Sequence, residues 1–289
     1  MIRKLLTQVA VALAAVAGAH GALAAEAGYP LDYFPKEKLT QMPSLQNGAK
    51  IFVNYCLNCH SASLMRYNRL TDIGLTEEQI KNNLLFSAGK VGETMKTAMN
   101  PRDAAEWFGA MPPDLSVIAR ARNSQHGSGA DWLYTYLRAY YRDATRPTGW
   151  NNAVFPNVGM PHVFYQLQGM RGAIIEEIKE VPGEKPGEHG FAKTTVTFTE
   201  NGLRSEVTEK LEGYHGHAET KFILGKPEGG LLDQAAYDDM VGDLVAYISY
   251  MSDPTAQTRV RLGVWVLLAL GLLFVCVWRL NAAYWKDIK

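Results

Sequence analysis

The run Cys56-Leu57-Asn58-Cys59-His60 constrains this chain more than any other feature. C-x-x-C-H is the spacing at which a c-type haem is attached covalently. Two thiols on one turn can each form a thioether to a haem vinyl group, and the adjacent imidazole is then held beneath the metal. On this reading Cys56 and Cys59 tether one haem c, His60 ligates its iron, and the fold must close around a macrocycle. Two other uses of C-x-x-C compete. A zinc site needs a second ligand pair at short spacing; the one further cysteine, Cys276, lies in an apolar stretch, and His215 and His217 flank Gly216 in a polar segment. A thioredoxin-like centre needs a preceding strand in a βαβ unit, whereas Asn47 to Tyr55 reads as the end of a helix.

The two ends place the chain at a membrane. Residues 1–25 carry Arg3 and Lys4, an apolar run from Val9 to Ala17 and the small-residue stretch Ala22-Leu23-Ala24-Ala25, the three parts of a signal peptide. Cleavage after Ala24 or Ala25 and an uncleaved N-terminal anchor are alternatives, and both export the body. The cysteines agree, since thiols tied to haem leave no pair for a disulfide in an oxidising compartment; Cys276 reads as a small apolar filler. Leu262 to Trp278 runs without a charge. At 1.5 Å per residue it covers about 26 Å, and continuing to Trp285 spans a hydrocarbon core of about 30 Å. Residues 259–285 are therefore expected to form a single anchor. Trp278, Tyr284 and Trp285 form an aromatic belt, and Arg279, Lys286 and Lys289 a positive inner end, with 286–289 as a cytoplasmic tail. The haem domain, 26–258, then faces the periplasm from a bacterial inner membrane.

Charge narrows the partners. The whole chain is formally neutral. Without Arg3 and Lys4 it is about −2, and without the tail from Arg279 about −4, so nucleic acid is not expected. A mildly acidic exported redox domain suits a basic soluble partner.

Between the ends the pattern is mainly helical. Tyr29 to Pro43 holds three prolines and reads as an extended arm. Ser44 to Tyr55 has helical apolar spacing, and Gly48 offers a place for another helix to approach. Ala235 to Met251 repeats Ala236, Met240, Leu244 and Ile248 every four residues, with Asp238, Asp239 and Asp243 suited to its dipole and Asp253-Pro254 as its stop. Further helices are expected over Thr76–Phe86, Pro101–Phe108 and Asp131–Arg142. Residues 169–230 differ: Ile174–Val181, Thr194–Phe198 and Thr220–Leu224 look like strands and Asn201-Gly202 like a turn, which predicts a small β insertion.

A haem iron needs a sixth position settled. Methionine there makes a carrier of raised potential, histidine lowers the potential, and an open position permits ligand binding. Met160 stands out among the methionines because Asn157-Val158-Gly159-Met160-Pro161 sets it in a restrained loop. Met95, Met99, Met111 and Met170 read as core or surface residues, and His162 is the rival ligand.

The runs CLNCHSASLMRYNRL, GAMPPDLSVIARAR, NVGMPHVF and YISYMSDPTAQTRVRLGVWVLLALGLLF together resemble the cytochrome c1 family of bacterial ubiquinol–cytochrome c reductases, in order and over nearly the whole mature chain. The resemblance implies a cytochrome c-like haem domain with one tail helix beside cytochrome b, in a dimeric bc1 complex. It implies electron relay from a Rieske iron–sulfur protein to cytochrome c, with no catalysis by this subunit alone. Matched position by position, Cys56 and Cys59 are the thioether residues, His60 the proximal ligand and Met160 the distal one. Pro112 and Pro113 line the haem, and Arg122, or else Arg120, sits near a propionate. Trp132 stands where relatives often carry a tyrosine. An anchored haem enzyme or sensor with an open sixth site, and a free-standing tethered cytochrome, are the other readings.

Overall fold

The structure, a computed structural model, describes residues 29–182, 189–214 and 216–286. The expected signal peptide lies outside these residues, as do His215 and residues 287–289 of the expected tail.

The chain enters as an arm that is extended only to Pro35, because Lys36–Thr40 winds into a 3-10 turn. Phe34 is buried, and its N–H donates to Asp131 Oδ1 at 2.8 Å. Helix α1 follows over Met42–Ile51. It does not continue as α-helix to Tyr55; Phe52–Cys56 widens into a π-helical turn that delivers the first cysteine. Such turns are rare and occur mostly at functional sites.

Beyond a short ladder of β1 (Ala62–Arg66) with β2 (Thr94–Met95), the next helices are α2 (Glu77–Asn83), α3 (Pro101–Phe108) and α4 (Ile118–Ala121). Helix α2 starts where expected, since Thr76 and Gln79 form a reciprocal capping box. It stops early because the Leu84 and Leu85 N–H groups both turn back to the Ile80 carbonyl. Helix α5 (Gly129–Arg138) is likewise capped by Ser128 and Asp131. Gly129 is required there, for a Cβ would lie 1.9 Å from the Ala119 carbonyl oxygen. After Arg138 the chain becomes strand β3 (Tyr140–Arg142), paired with β4 (Trp150–Asn152), rather than extending the helix. Helix α6 (Tyr165–Gln168) is one turn long.

The long core helix is α7, Gln234–Ser252. Tyr237 rather than Ala236 begins its buried face, followed by Val241, Leu244, Val245, Tyr247 and Ile248. Helix α1 crosses it at Gly48, where a Cβ would lie 2.1 Å from the Asp243 carbonyl oxygen. The aspartates of α7 do not serve the dipole. Asp238 takes two hydrogen bonds from Arg138, at 2.6 and 2.9 Å, while Asp239 and Asp243 clasp Lys38 at 2.6 and 2.7 Å. Those ion pairs pin the arm and α5 to the core.

Residues 169–230 start with β5 (Gly169–Met170), which pairs with β10 (Glu228–Gly229). Between them lie β6 (Ala173–Pro182), β7 (His189–Phe198), β8 (Arg204–Leu211) and β9 (Glu219–Leu224), an antiparallel sheet in the order β8-β7-β6-β9. Ala173 and Phe198 at its base pack with Tyr141. Strand β8 is exposed along nearly its whole length, and its charged sequence gives no alternating signal.

Helix α8 (Ala256–Tyr284) leaves the domain just beyond α7, with Arg259 paired to Asp253 at the junction. Its 29 residues span about 44 Å, and none is buried. Its most apolar 18-residue stretch has a mean hydropathy of 2.5, so the helix is long and apolar enough to cross a membrane once.

Candidate functional site

The π-turn and the hydrogen bonds after it shape the C-x-x-C-H segment. The Cys59 and His60 N–H groups both bond the Cys56 carbonyl, at 3.1 and 2.8 Å. This closes a tight turn on which both thiols and the imidazole are grouped. Cys56 is buried, and burial pushes its thiol up to about 12; Cys59 is half-buried and is raised less, for the same cause.

A cavity of about 430 Å³ opens above this turn. Cys56, Cys59, His60, Pro112, Pro113, Arg122 and Met160 all line it, so residues spread over more than 100 positions converge on one space. Most of its remaining wall is apolar or aromatic, including Leu244 and Ile248 from α7. That size and character suit a cofactor. Among the described residues no group of three histidine, cysteine or acidic side chains could hold a metal ion.

His60 is nearly buried, and its Nδ1 lies 2.8 Å from the Pro113 carbonyl oxygen. A protonated Nδ1 donating to that oxygen leaves the Nε2 lone pair for a metal. Desolvation holds the imidazole below its usual pKa, against the Pro113 bond and the nearby Asp114 charge. Asp114 in turn receives the N–H groups of Ser63 and Ser116, both at 2.8 Å, which ties the proline segment to the residues just after His60.

Met160 stands on a loop whose restraint comes from two buried asparagines. Asn152 Oδ1 accepts from the N–H groups of Val154 and Phe155, and Asn151 Oδ1 from those of Asn152 and Asn157. Asn157 itself has φ 64°, a left-handed turn that asparagine tolerates. The Tyr136 hydroxyl lies 3.4 Å from Met160 Sδ and 2.8 Å from the Tyr140 hydroxyl, which reaches the Met160 carbonyl at 3.3 Å. His162 does not share the cavity. It is buried with its ring 4.7 Å from Tyr140, nearly parallel, and with Trp150 edge-on; burial lowers its pKa to about 3. Met111, assigned from sequence to core or surface, does border the cavity beside Pro112.

Arg122 rather than Arg120 reaches the cavity, and its guanidinium lies 4.4 Å above the Trp132 ring. Trp132 stacks on Tyr136 at 4.8 Å. The sequence reading missed Tyr136, Tyr140 and the two asparagines. One signal was available: Trp132, Tyr136 and Tyr140 recur every four residues, an aromatic stripe along one face of the helix expected over Asp131–Arg142, although Tyr140 itself falls in β3.

The donor set of two thiols, one imidazole with its outer nitrogen committed and one thioether, around a largely apolar space, fits a covalently tied haem. Residues 36–170 match the family described as the Cytochrome C1 family. Cytochrome c1 of Allochromatium vinosum is 40% identical over 251 residues, covering 86% of each chain. A protein of Nitrosomonas europaea named ammonia monooxygenase gamma subunit is 39% identical, over 90% of this chain and 87% of its own. Cytochrome c1 of Rhodospirillum rubrum is 27% identical, over 86% and 82%.

Proposed function

Because this chain belongs to the cytochrome c1 family, we propose that it relays single electrons through a haem tied to Cys56 and Cys59 and held between His60 and Met160. Membership makes it the haem-containing electron-transfer subunit of a cytochrome bc1 complex, an oxidoreductase, with cytochrome b and a Rieske protein as companion subunits. In our reading the Rieske protein delivers the electron and a cytochrome c removes it. The complex is a dimer, and the haem domain faces the periplasm from the inner membrane. The subunit itself catalyses no bond change. One observation carries the reading: the cavity collects every residue that the sequence motifs single out for haem.

The bound haem supplies the one-electron couple, and the chain's own residues set its surroundings. His60 keeps its proton on Nδ1 through Pro113 and offers Nε2. Pro112 and Pro113 present apolar surface without an N–H that would need a partner. Arg122, held over Trp132, can pair a propionate with its planar fork. The apolar wall excludes water, so little solvent must reorganise when the charge on iron changes.

Extraction of the tagged full-length chain in mild detergent tests the assignment. Cytochrome b and a Rieske protein should co-purify with it in fixed ratio, and their absence would reject the bc1 assignment. Recovery with monooxygenase subunits instead would move the chain to the assembly named for its Nitrosomonas europaea relative.

A further inference from the structure

We infer that Tyr136 and Tyr140 form a positioning pair that sets how strongly the Met160 sulfur donates to the haem iron, an inference resting on Met160 as the distal ligand. The pair has two phenolic protons and three places to put them: Met160 Sδ at 3.4 Å, the Met160 carbonyl oxygen at 3.3 Å, and each other's oxygen at 2.8 Å. Tyr140 donates to the carbonyl, and the Tyr136 proton is then shared between the Tyr140 oxygen and the sulfur. Whatever share the sulfur receives ties up lone-pair density that would otherwise stabilise ferric iron.

The arrangement is rigid on every side. The Tyr136 ring stacks on Trp132 at 4.8 Å, and its main-chain carbonyl accepts from Asn152 Nδ2 at 2.8 Å. The Tyr140 ring lies flat on His162 at 4.7 Å. Both tyrosines are buried. A phenol titrates at about pH 10, so both hydroxyls carry their protons at neutral pH. Phenylalanine would fill the same volume without two buried hydroxyls to satisfy. Their hydrogen-bond partners are each other, the Met160 sulfur and the Met160 carbonyl oxygen.

The two hydroxyls act in opposite directions. Removing the Tyr136 hydroxyl frees the sulfur, makes it a better donor and favours the oxidised haem. Removing the Tyr140 hydroxyl takes away the competing acceptor, turns the Tyr136 proton to the sulfur and favours the reduced haem. Hydrogen bonding around an axial ligand is one of the levers by which a protein sets a haem potential.

The test is a redox titration of Tyr136→Phe, Tyr140→Phe, Met160→Leu and the wild type, each in the full-length membrane-bound chain. The thioether-to-ferric charge-transfer band is recorded in parallel. Tyr136→Phe should lower the reduction equilibrium about threefold to tenfold, or roughly 30–60 mV at 59 mV per tenfold. Tyr140→Phe should raise it about twofold to threefold, with the band retained in both. Shifts of the same sign, no shift in Tyr136→Phe, or loss of the band in that variant overturn the tuning role while leaving the ligand assignment standing. A wild type without the band, whose potential Met160→Leu leaves unchanged, overturns the ligand assignment and the pair's role with it.

Discussion

His60 Nδ1 and the carbonyl oxygen of Pro113 lie 2.8 Å apart across 53 residues of chain. That contact makes the imidazole one-sided, with one nitrogen occupied by the protein and the other turned to the cavity. It also gives the Pro112-Pro113 step a second purpose. Besides apolar surface, the segment contributes a carbonyl whose position two rigid rings define, and Asp114 anchors it through Ser63 and Ser116.

Each thiol should carry one covalent link. Cys56→Ser or Cys59→Ser should leave a haem attached through a single thioether, visible as a red-shifted reduced pyridine haemochrome. The double variant should release its haem to acidic organic solvent. Retention of the wild-type spectrum in either single variant would remove that cysteine from the attachment.

Met160→Leu should lower the haem reduction equilibrium by at least about tenfold, 59 mV for a one-electron couple. It should also open the iron to carbon monoxide, because leucine fills the loop position without a donor atom. His162→Gln should do neither, since that ring is packed between Tyr140 and Trp150 outside the cavity. Carbon monoxide binding by the unaltered protein would argue for an open sixth position instead.

Gly48→Ala should destabilise the haem domain. Its added methyl would meet the Asp243 carbonyl at 2.1 Å and Tyr247 Cβ at 2.7 Å, and helix backbones cannot yield as a flexible side chain does. Overpacking of this kind costs about 2–3 kcal/mol, or roughly 5–10 °C in Tm for a domain of this size. Thermal unfolding followed by the haem absorbance would measure it.

Asp131 should contribute stability that acid removes. Burial opposes its charge, but hydrogen bonds from Ser128 and the Phe34 N–H, with the Lys36 charge, outweigh that and hold its pKa below the usual carboxylate value. A depressed folded pKa stabilises above the unfolded value and loses that contribution as pH falls through the folded one. Asp131→Asn should therefore cost about 1–3 kcal/mol at pH 7. It should also flatten the fall in stability below about pH 4, measured by denaturant titration at several pH values. An unchanged acid slope would place the sensitivity elsewhere.

Much of the fold was legible because it depends on local pattern. The expected helix over Ala235–Met251 is α7, Gln234–Ser252, and Pro101–Phe108 matches to the residue. Gly48 did mark a helix crossing. Other features escaped for identifiable reasons. The π-turn before Cys56 is a change of hydrogen-bond register with no compositional mark. Strand β8 is exposed on both faces and so shows no alternation. The aspartates of α7 suit a helix dipole by sequence position, whereas Lys38 and Arg138, which bind them, lie about 100 to 200 residues away.

The sequence alone pointed to the covalent chemistry proposed here and to a helix long and apolar enough to cross a membrane. Thiol and imidazole spacing sits within one turn, and an apolar span is a one-dimensional property. It also singled out Met160 from its Gly/Pro loop. Only the tertiary structure decided how that loop is held by Asn151 and Asn152, that Arg122 lies on Trp132, and that His162 is enclosed by aromatic rings. It alone brought the Tyr136 and Tyr140 hydroxyls to the methionine. Hydrogen bonds and ring contacts act over a few ångströms of space, and nothing in a linear chain records which distant residues folding will bring within that range.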